Sequence, residues 1–120
     1  CIEGIDGSMV TRYIGENMKI YDMMLHNFLD NMREICIEAQ EGYKEEDFAI
    51  FKLYMHAIKN AGNNIGAIEL SKLAEDLENA CAAEEFEYVN EKLPAFTAKF
   101  QELAGNIEEY LKKNEPITLQ

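Results

Sequence analysis

Residues 86–111 read FEYVNEKLPAFTAKFQELAGNIEEYL, and apolar side chains recur in this stretch at steps of three and four. Such spacing places them along one face of an α-helix. We call such a row an apolar seam, and this one contains Phe86, Val89, Leu93, Phe96, Phe100, Leu103, Ile107 and Leu111. The stretch predicts one long amphipathic helix. Pro94 lies inside it and predicts a kink, or a break near Lys92-Leu93.

Three shorter seams precede this one. They contain Tyr21, Leu25, Phe28, Met32, Ile35 and Ala39, then Phe48, Phe51, Met55, Ile58 and Gly62, then Leu70, Leu73, Leu77 and Ala80. Gly42 is expected to end the first helix. Four seams with short connections predict an all-α fold, an antiparallel up-down four-helix bundle over residues 16–113. A short extra N-terminal helix is expected over residues 8–14, with Ser8 as its N-cap, and residues 114–120 are expected to form a tail.

Composition limits the class of protein. The chain has 120 residues, of which 48% are hydrophobic, and this predicts a single domain over residues 1–120. Its net charge of −12 argues against nucleic acid as a partner. Three widely separated cysteines indicate neither a disulfide framework nor a zinc site, so a cytoplasmic location is expected. No apolar run approaches the roughly 20 residues of a membrane span. Because the chain opens at Cys1 without a methionine, we expect it to be part of a longer protein.

The predicted helix whose seam contains Met55 also carries a polar stripe on its flank. His56 follows Met55 by one residue, and a turn of about 100° takes its side chain away from the buried face. Lys52, Lys59, Asn60 and Asn63 lie at helical spacing from it and share its stripe. An imidazole has an unperturbed pKa of about 6.5, so a neutral ring nitrogen is a competent nucleophile near pH 7. Neighbouring ammonium groups would stabilise an attached phosphoryl group, and small neighbours would leave the ring accessible.

The stripe by itself leaves two interpretations open. One is a phosphoryl-accepting histidine, and the other is a surface histidine beside solvated lysines. The second histidine, His26, has Asp22 and Asp30 four residues to either side, which favours a surface ion pair. A ferritin-like metal centre would need Glu three residues before a histidine, but Met23 and Leu53 stand there. No metal site and no cofactor are predicted.

A longer stretch around His56 resembles the signature of histidine-containing phosphotransfer (HPt) domains, which occur in hybrid sensor histidine kinases and multistep phosphorelays. The family pattern is His-x-Leu-Lys-Gly-x-Ser/Ala, a glycine ten residues after the histidine, and a leucine-rich helix that ends in Leu-Glu. The matching residues are His56, Ile58, Lys59, Gly66, Leu70, Leu73, Leu77 and Glu78, and the likeness extends upstream to Gly4-Ile5-Asp6, Arg12-Tyr13-Ile14-Gly15, Tyr21 and Phe28-Leu29. Two positions depart from the pattern, since Asn60 stands in place of Gly and Gly62 in place of Ser or Ala.

The resemblance implies a role for each part of the motif. His56 would accept a phosphoryl group from a receiver-domain aspartate and pass it to another receiver, Lys59 would stabilise that group, and Gly66 would allow the break between the two central helices. Receiver contacts are expected at Lys52, Asn60, Gly62, Asn63 and Gly66. Exposed apolar residues of the same docking surface are expected at Met23, Leu29 and Ile65.

Other functions remain open at this stage. The chain has no glycine-rich nucleotide loop, so it is not expected to phosphorylate itself from ATP. It resembles the phosphorelay type more than the histidine domain of a chemotaxis-type kinase. A helical module that binds receivers without transfer, or a purely structural bundle, is the alternative. We expect a monomer without direct membrane contact, either free-standing or as the cytoplasmic part of a membrane-bound sensor kinase.

Overall fold

The computed structural model describes residues 2–8 and 17–114. These residues contain four long helices and no strand, which confirms the all-helical prediction. The helices are α1 (Met18–Lys44), α2 (Phe48–Ile65), α3 (Ile68–Ala82) and α4 (Phe86–Lys113). Each helix packs against the next one along the chain, and α4 packs against α1. The four helices therefore surround one core.

The core is built from the four predicted seams. Every seam residue is buried or partly buried, and Leu25, Phe51, Ile58, Phe96 and Ile107 are fully shielded from solvent. Burying side chains of this size contributes about 1.5–3 kcal/mol each, which makes the seams the main source of stability. Their alignment fixes the rotation of each helix, and so decides which face of α2 is presented to solvent.

Helix α1 does not end at Gly42 as predicted but continues to Lys44. Glu46, at φ 60°, reverses the chain, and the Asp47 amide donates to the Gly42 carbonyl at 2.8 Å. This is the hydrogen-bond pattern of a Schellman motif. Gly42 instead lies where α1 approaches α2, because a Cβ atom there would come within 3.1 Å of the Ile50 side chain. The glycine is a packing residue rather than a stop signal.

Helix α4 is continuous through Pro94, so the predicted break near Lys92-Leu93 is wrong, and the alternative of a kink stays a prediction. Proline removes one backbone donor, but buried residues on both sides, Val89 and Phe96, hold the two halves of the helix against the same core. Packing thus outweighs the local cost of the proline.

The N-terminal segment, residues 2–8, lies against one end of the bundle. The Asp6 amide donates to the Gly66 carbonyl at 2.8 Å, and the Asn106 side chain donates to the Glu3 carbonyl at 3.2 Å. Ser8 is already helical and its amide donates to the Asp6 carboxylate, so Asp6 and not Ser8 occupies the capping position. The rest of the helix predicted for residues 8–14 lies outside the described residues, as do residues 115–120 of the predicted tail.

Cys36 and Cys81 are buried free thiols. Burial raises the pKa of both Cys36 and Cys81, which keeps them in the unreactive thiol form near neutral pH. None of the helices in residues 2–8 and 17–114 combines the length and the apolar character that a membrane span requires.

Candidate functional site

The candidate site is on α2, where His56 projects from the flank of the bundle. Its side chain is 50% exposed, while the adjacent Met55 is fully buried in the core. Phe51 and Ile58 are buried as well, so this part of α2 is held on both sides of the histidine. The predicted outward turn of His56 is therefore present, on a rigid element.

A carboxylate from α3 contacts the histidine ring. The His56 Nδ1 atom lies 3.1 Å from Oε2 and 3.4 Å from Oε1 of Glu78, whose side chain is only 22% exposed. An ionised carboxylate can only accept hydrogen bonds, so Nδ1 carries the hydrogen in this contact. The lone pair of the neutral ring is consequently on Nε2, the nitrogen that Glu78 leaves free.

The same carboxylate also binds Lys59. The Lys59 Nζ atom donates to Glu78 Oε1 at 3.3 Å, and its side chain is 19% exposed. A second carboxylate, that of Glu75, lies 4.0 Å from Nζ. Glu78 therefore connects the histidine and the lysine through its two oxygens, which keeps the ammonium group in the neighbourhood of the ring.

Gly62 and Ser71 position α3 against α2. The Ser71 hydroxyl donates to the Lys59 carbonyl at 2.9 Å, and a Cβ atom on residue 62 would come within 2.4 Å of that hydroxyl oxygen. Gly62 thus allows the close approach that brings Glu78 to His56. The departure of residue 62 from the family pattern has a structural explanation in this contact with Ser71.

Gly66 ends α2 in the left-handed conformation, at φ 86°. A side chain there would be strained, and its Cβ atom would also come within 3.0 Å of the Asp6 carbonyl. The Tyr21 hydroxyl donates to the neighbouring Ile65 carbonyl at 3.1 Å. The predicted break between the two central helices is present. Hydrogen bonds from Asp6 and from Tyr21 hold the backbone of this break in place.

The remaining predicted contact residues differ in exposure. Asn60 and Asn63 are exposed beside His56, and Lys52 is partly exposed. Gly62 and Gly66 are buried, and the close contacts that a side chain would make at each position explain the glycine there without a partner protein. The partner-binding role of all five stays a prediction.

Two of the expected exposed apolar residues are buried. Leu29 and Ile65 both belong to the core, so the prediction that they are exposed is wrong. Both lie outside the seams, but the apolar face of each helix is wide enough to bury flanking positions as well. Met23 is 64% exposed, as expected, and Leu53 is a further exposed apolar side chain on α2.

His26 has no comparable surroundings. It is exposed, and no ion pair joins it to Asp22 or Asp30 in the described part of the chain. Asp22 instead accepts a hydrogen bond from the Tyr110 hydroxyl at 2.9 Å. Over residues 2–8 and 17–114 there is also no group of three His, Cys, Asp or Glu side chains that could hold a metal ion.

The sequence did not assign a role to Glu78, although it formed part of the recognised motif. Glu78 is 22 residues from His56 and on another helix, so helical spacing could not pair them. Its position directly after the seam residue Leu77 was the available signal. Only the packing of α3 on α2 converts that position into a contact with the ring.

The arrangement supports nucleophilic chemistry at His56. The ring is exposed, one nitrogen is held by a carboxylate, and an ammonium group is near enough to balance negative charge. These are the requirements for an imidazole that accepts and releases an anionic group.

Comparison with known families agrees with this geometry. The family model of the Hpt domain matches residues 23–111, which is most of the chain. The chain belongs to the Hpt domain family, whose members carry phosphoryl groups on a histidine in two-component signalling and interact with receiver domains. Comparisons with curated proteins and with solved structures gave no significant match.

Replacing Glu78 with glutamine is expected to slow phosphoryl acceptance by about tenfold, because a neutral amide no longer stabilises the positive ring that forms. The measurement is the initial rate of labelling by a charged receiver domain. Asp76→Asn is the matched control, since it removes the same charge from α3 but its carboxylate contacts Tyr88. Equal rates for Glu78→Gln and the native chain would contradict a role for this carboxylate.

Proposed function

We propose that this domain is a phosphorelay carrier that accepts a phosphoryl group on His56 from a receiver-domain aspartate and passes it to another receiver. The observation that carries the proposal is the exposed His56 ring, held at Nδ1 by Glu78, with Lys59 on the same carboxylate. Membership of the Hpt family supports the same chemistry.

The proposed transfer is a displacement at phosphorus. The Nε2 lone pair of the neutral ring attacks, the new N–P bond forms, and the P–O bond of the aspartyl phosphate breaks. The electron pair of the broken bond stays on the receiver's carboxylate. The ring becomes positively charged and keeps its Nδ1 hydrogen, which continues to donate to Glu78. Onward transfer is the same step in reverse with a second receiver.

The domain contributes position rather than a metal ion or a base. Transfer of a phosphoryl group depends mainly on alignment and on charge stabilisation. In this proposal the receiver supplies its own carboxylates and divalent ion, and the domain supplies a fixed imidazole and Lys59. It has no ATP-dependent kinase activity of its own.

The surroundings of the site suggest how receivers dock. Lys52, Asn60 and Asn63 lie on the stripe of His56, and the backbone at Gly62 and Gly66 shapes the end of α2. We assign direct receiver contact to Lys52, Asn60 and Asn63, and an indirect contribution through the shape of this surface to the buried Gly62 and Gly66. An interface of low area suits a carrier that must exchange partners.

We also propose the order of the helices, the oligomeric state and the location of the domain. Connections of two or three residues favour an antiparallel up-down order of the four helices, and we propose that residues 1–120 form one domain. Because the apolar seams of all four helices are buried within one bundle, they favour a monomer. The net charge of −12 disfavours binding to nucleic acid. We place the domain in the cytoplasm, free-standing or within a longer sensor kinase.

A two-receiver relay tests the function. One receiver is charged with acetyl phosphate, mixed with the domain and removed, and a second, uncharged receiver is then added. We expect label to move first to the domain and then to the second receiver. Binding of both receivers without label on the domain would contradict the proposal and indicate a docking module instead.

A further inference from the structure

Lys59 is shared between two carboxylates that have different tasks. Glu78 is also bound to the His56 ring, so its position is set by two partners. Glu75 lies one helical turn earlier on α3, is 58% exposed, and reaches Lys59 at 4.0 Å. No contact ties Glu75 to the histidine in the described residues, so its effect on the site passes through the lysine.

We propose that Glu75 is a positioning residue that holds Lys59 away from the phosphoryl group and so favours release of that group from His56. The proposal rests on the phosphoryl-carrier function assigned above. In the unmodified domain the ammonium group lies between two negative charges. Any movement of Lys59 toward an anion on Nε2 must give up part of this attraction.

The charge balance gives the direction of the effect. When the N–P bond at Nε2 forms and the P–O bond of the donor breaks, about two negative charges arrive near Lys59. Glu75 competes with them for the same ammonium group and takes no part in the bond changes. Its competition makes the phosphorylated state less favourable, and so makes the phosphoryl group easier to pass on.

Replacing Glu75 with glutamine tests this inference. The quantity is the equilibrium ratio of phosphorylated domain to phosphorylated receiver, measured with one receiver and the native chain or the variant. We expect Glu75→Gln to raise the ratio about two- to fivefold, the range of an exposed ion pair. Asp76→Asn again serves as the control, because it removes one charge from the next residue without a contact to Lys59.

The same substitution in a chain without Lys59 distinguishes competition for the lysine from direct repulsion between Glu75 and the phosphoryl group. In a Lys59→Met chain, Glu75→Gln is expected to change the ratio much less, because the competition for the ammonium group no longer exists. An unchanged ratio for Glu75→Gln, an equal rise for Asp76→Asn, or the same rise with and without Lys59 would each overturn the inference. Absence of label on the native chain would instead overturn the carrier function itself, so the two failures are distinguishable.

Discussion

Replacing His56 with glutamine is expected to abolish labelling of the domain by a charged receiver. Glutamine has no nucleophilic ring nitrogen, so the N–P bond has no atom on which to form. The fold should survive, because half of the His56 side chain is in solvent and the core beneath it is unchanged. The measurement is the amount of phosphorylated domain at saturation, with circular dichroism to verify the helices.

His26→Gln provides the matched control. His26 is also exposed on a long helix, but no carboxylate or lysine of the described residues pairs with it. This variant should be labelled as fully as the native chain. Undiminished labelling of His56→Gln, or loss of label in His26→Gln, would place the chemistry elsewhere.

Replacing Gly62 with alanine is expected to lower the free energy of unfolding by about 2 kcal/mol. Alanine normally stabilises a helix relative to glycine by roughly 0.5–1 kcal/mol, so the expected sign is the reverse of the helix propensity. The cause is the added Cβ atom, which would lie 2.4 Å from the Ser71 hydroxyl oxygen and push α3 away from α2. Urea denaturation of both chains measures the difference.

A double variant identifies the cause. Ser71→Ala removes the obstructing oxygen, and the next atoms, at 3.3 Å and 3.6 Å, allow a Cβ atom with little movement. Gly62→Ala in the Ser71→Ala background should therefore cost much less than in the native chain. Additive costs would show that the contact with Ser71 does not explain the glycine. Because Glu78 is on the same helix as Ser71, Gly62→Ala should also slow labelling.

The helices and the core could be predicted because they depend on local periodicity. The seam from Phe86 to Leu111 is long enough that one interruption, Pro94, does not obscure it, and each seam position proved to be buried or partly buried. The helix boundaries were less predictable. In the sequence, Gly42 resembles a residue that ends a helix. In the structure it allows α2 to approach α1, because a side chain at this position would crowd Ile50 of α2.

The site was predictable only in part. His56 and Lys59 lie three residues apart on one helix, so their spacing and the family resemblance were enough to select them. The contact of Glu78 with both depends on how α3 packs on α2, through Gly62 and Ser71. For the same reason, spacing could not establish that Lys59 is held between two carboxylates.

The most direct test is to locate the phosphoryl group on the native chain after exposure to a charged receiver domain. The account predicts one acid-labile and alkali-stable label, bonded to Nε2 of His56, with the Nδ1 hydrogen retained; nuclear magnetic resonance of the ¹⁵N-labelled domain can distinguish the two ring nitrogens. A label on Nδ1 would contradict the role given to Glu78. A label on His26 or on a carboxylate, or no label while the receiver discharges only to water, would contradict the central claim that His56 is the phosphoryl carrier.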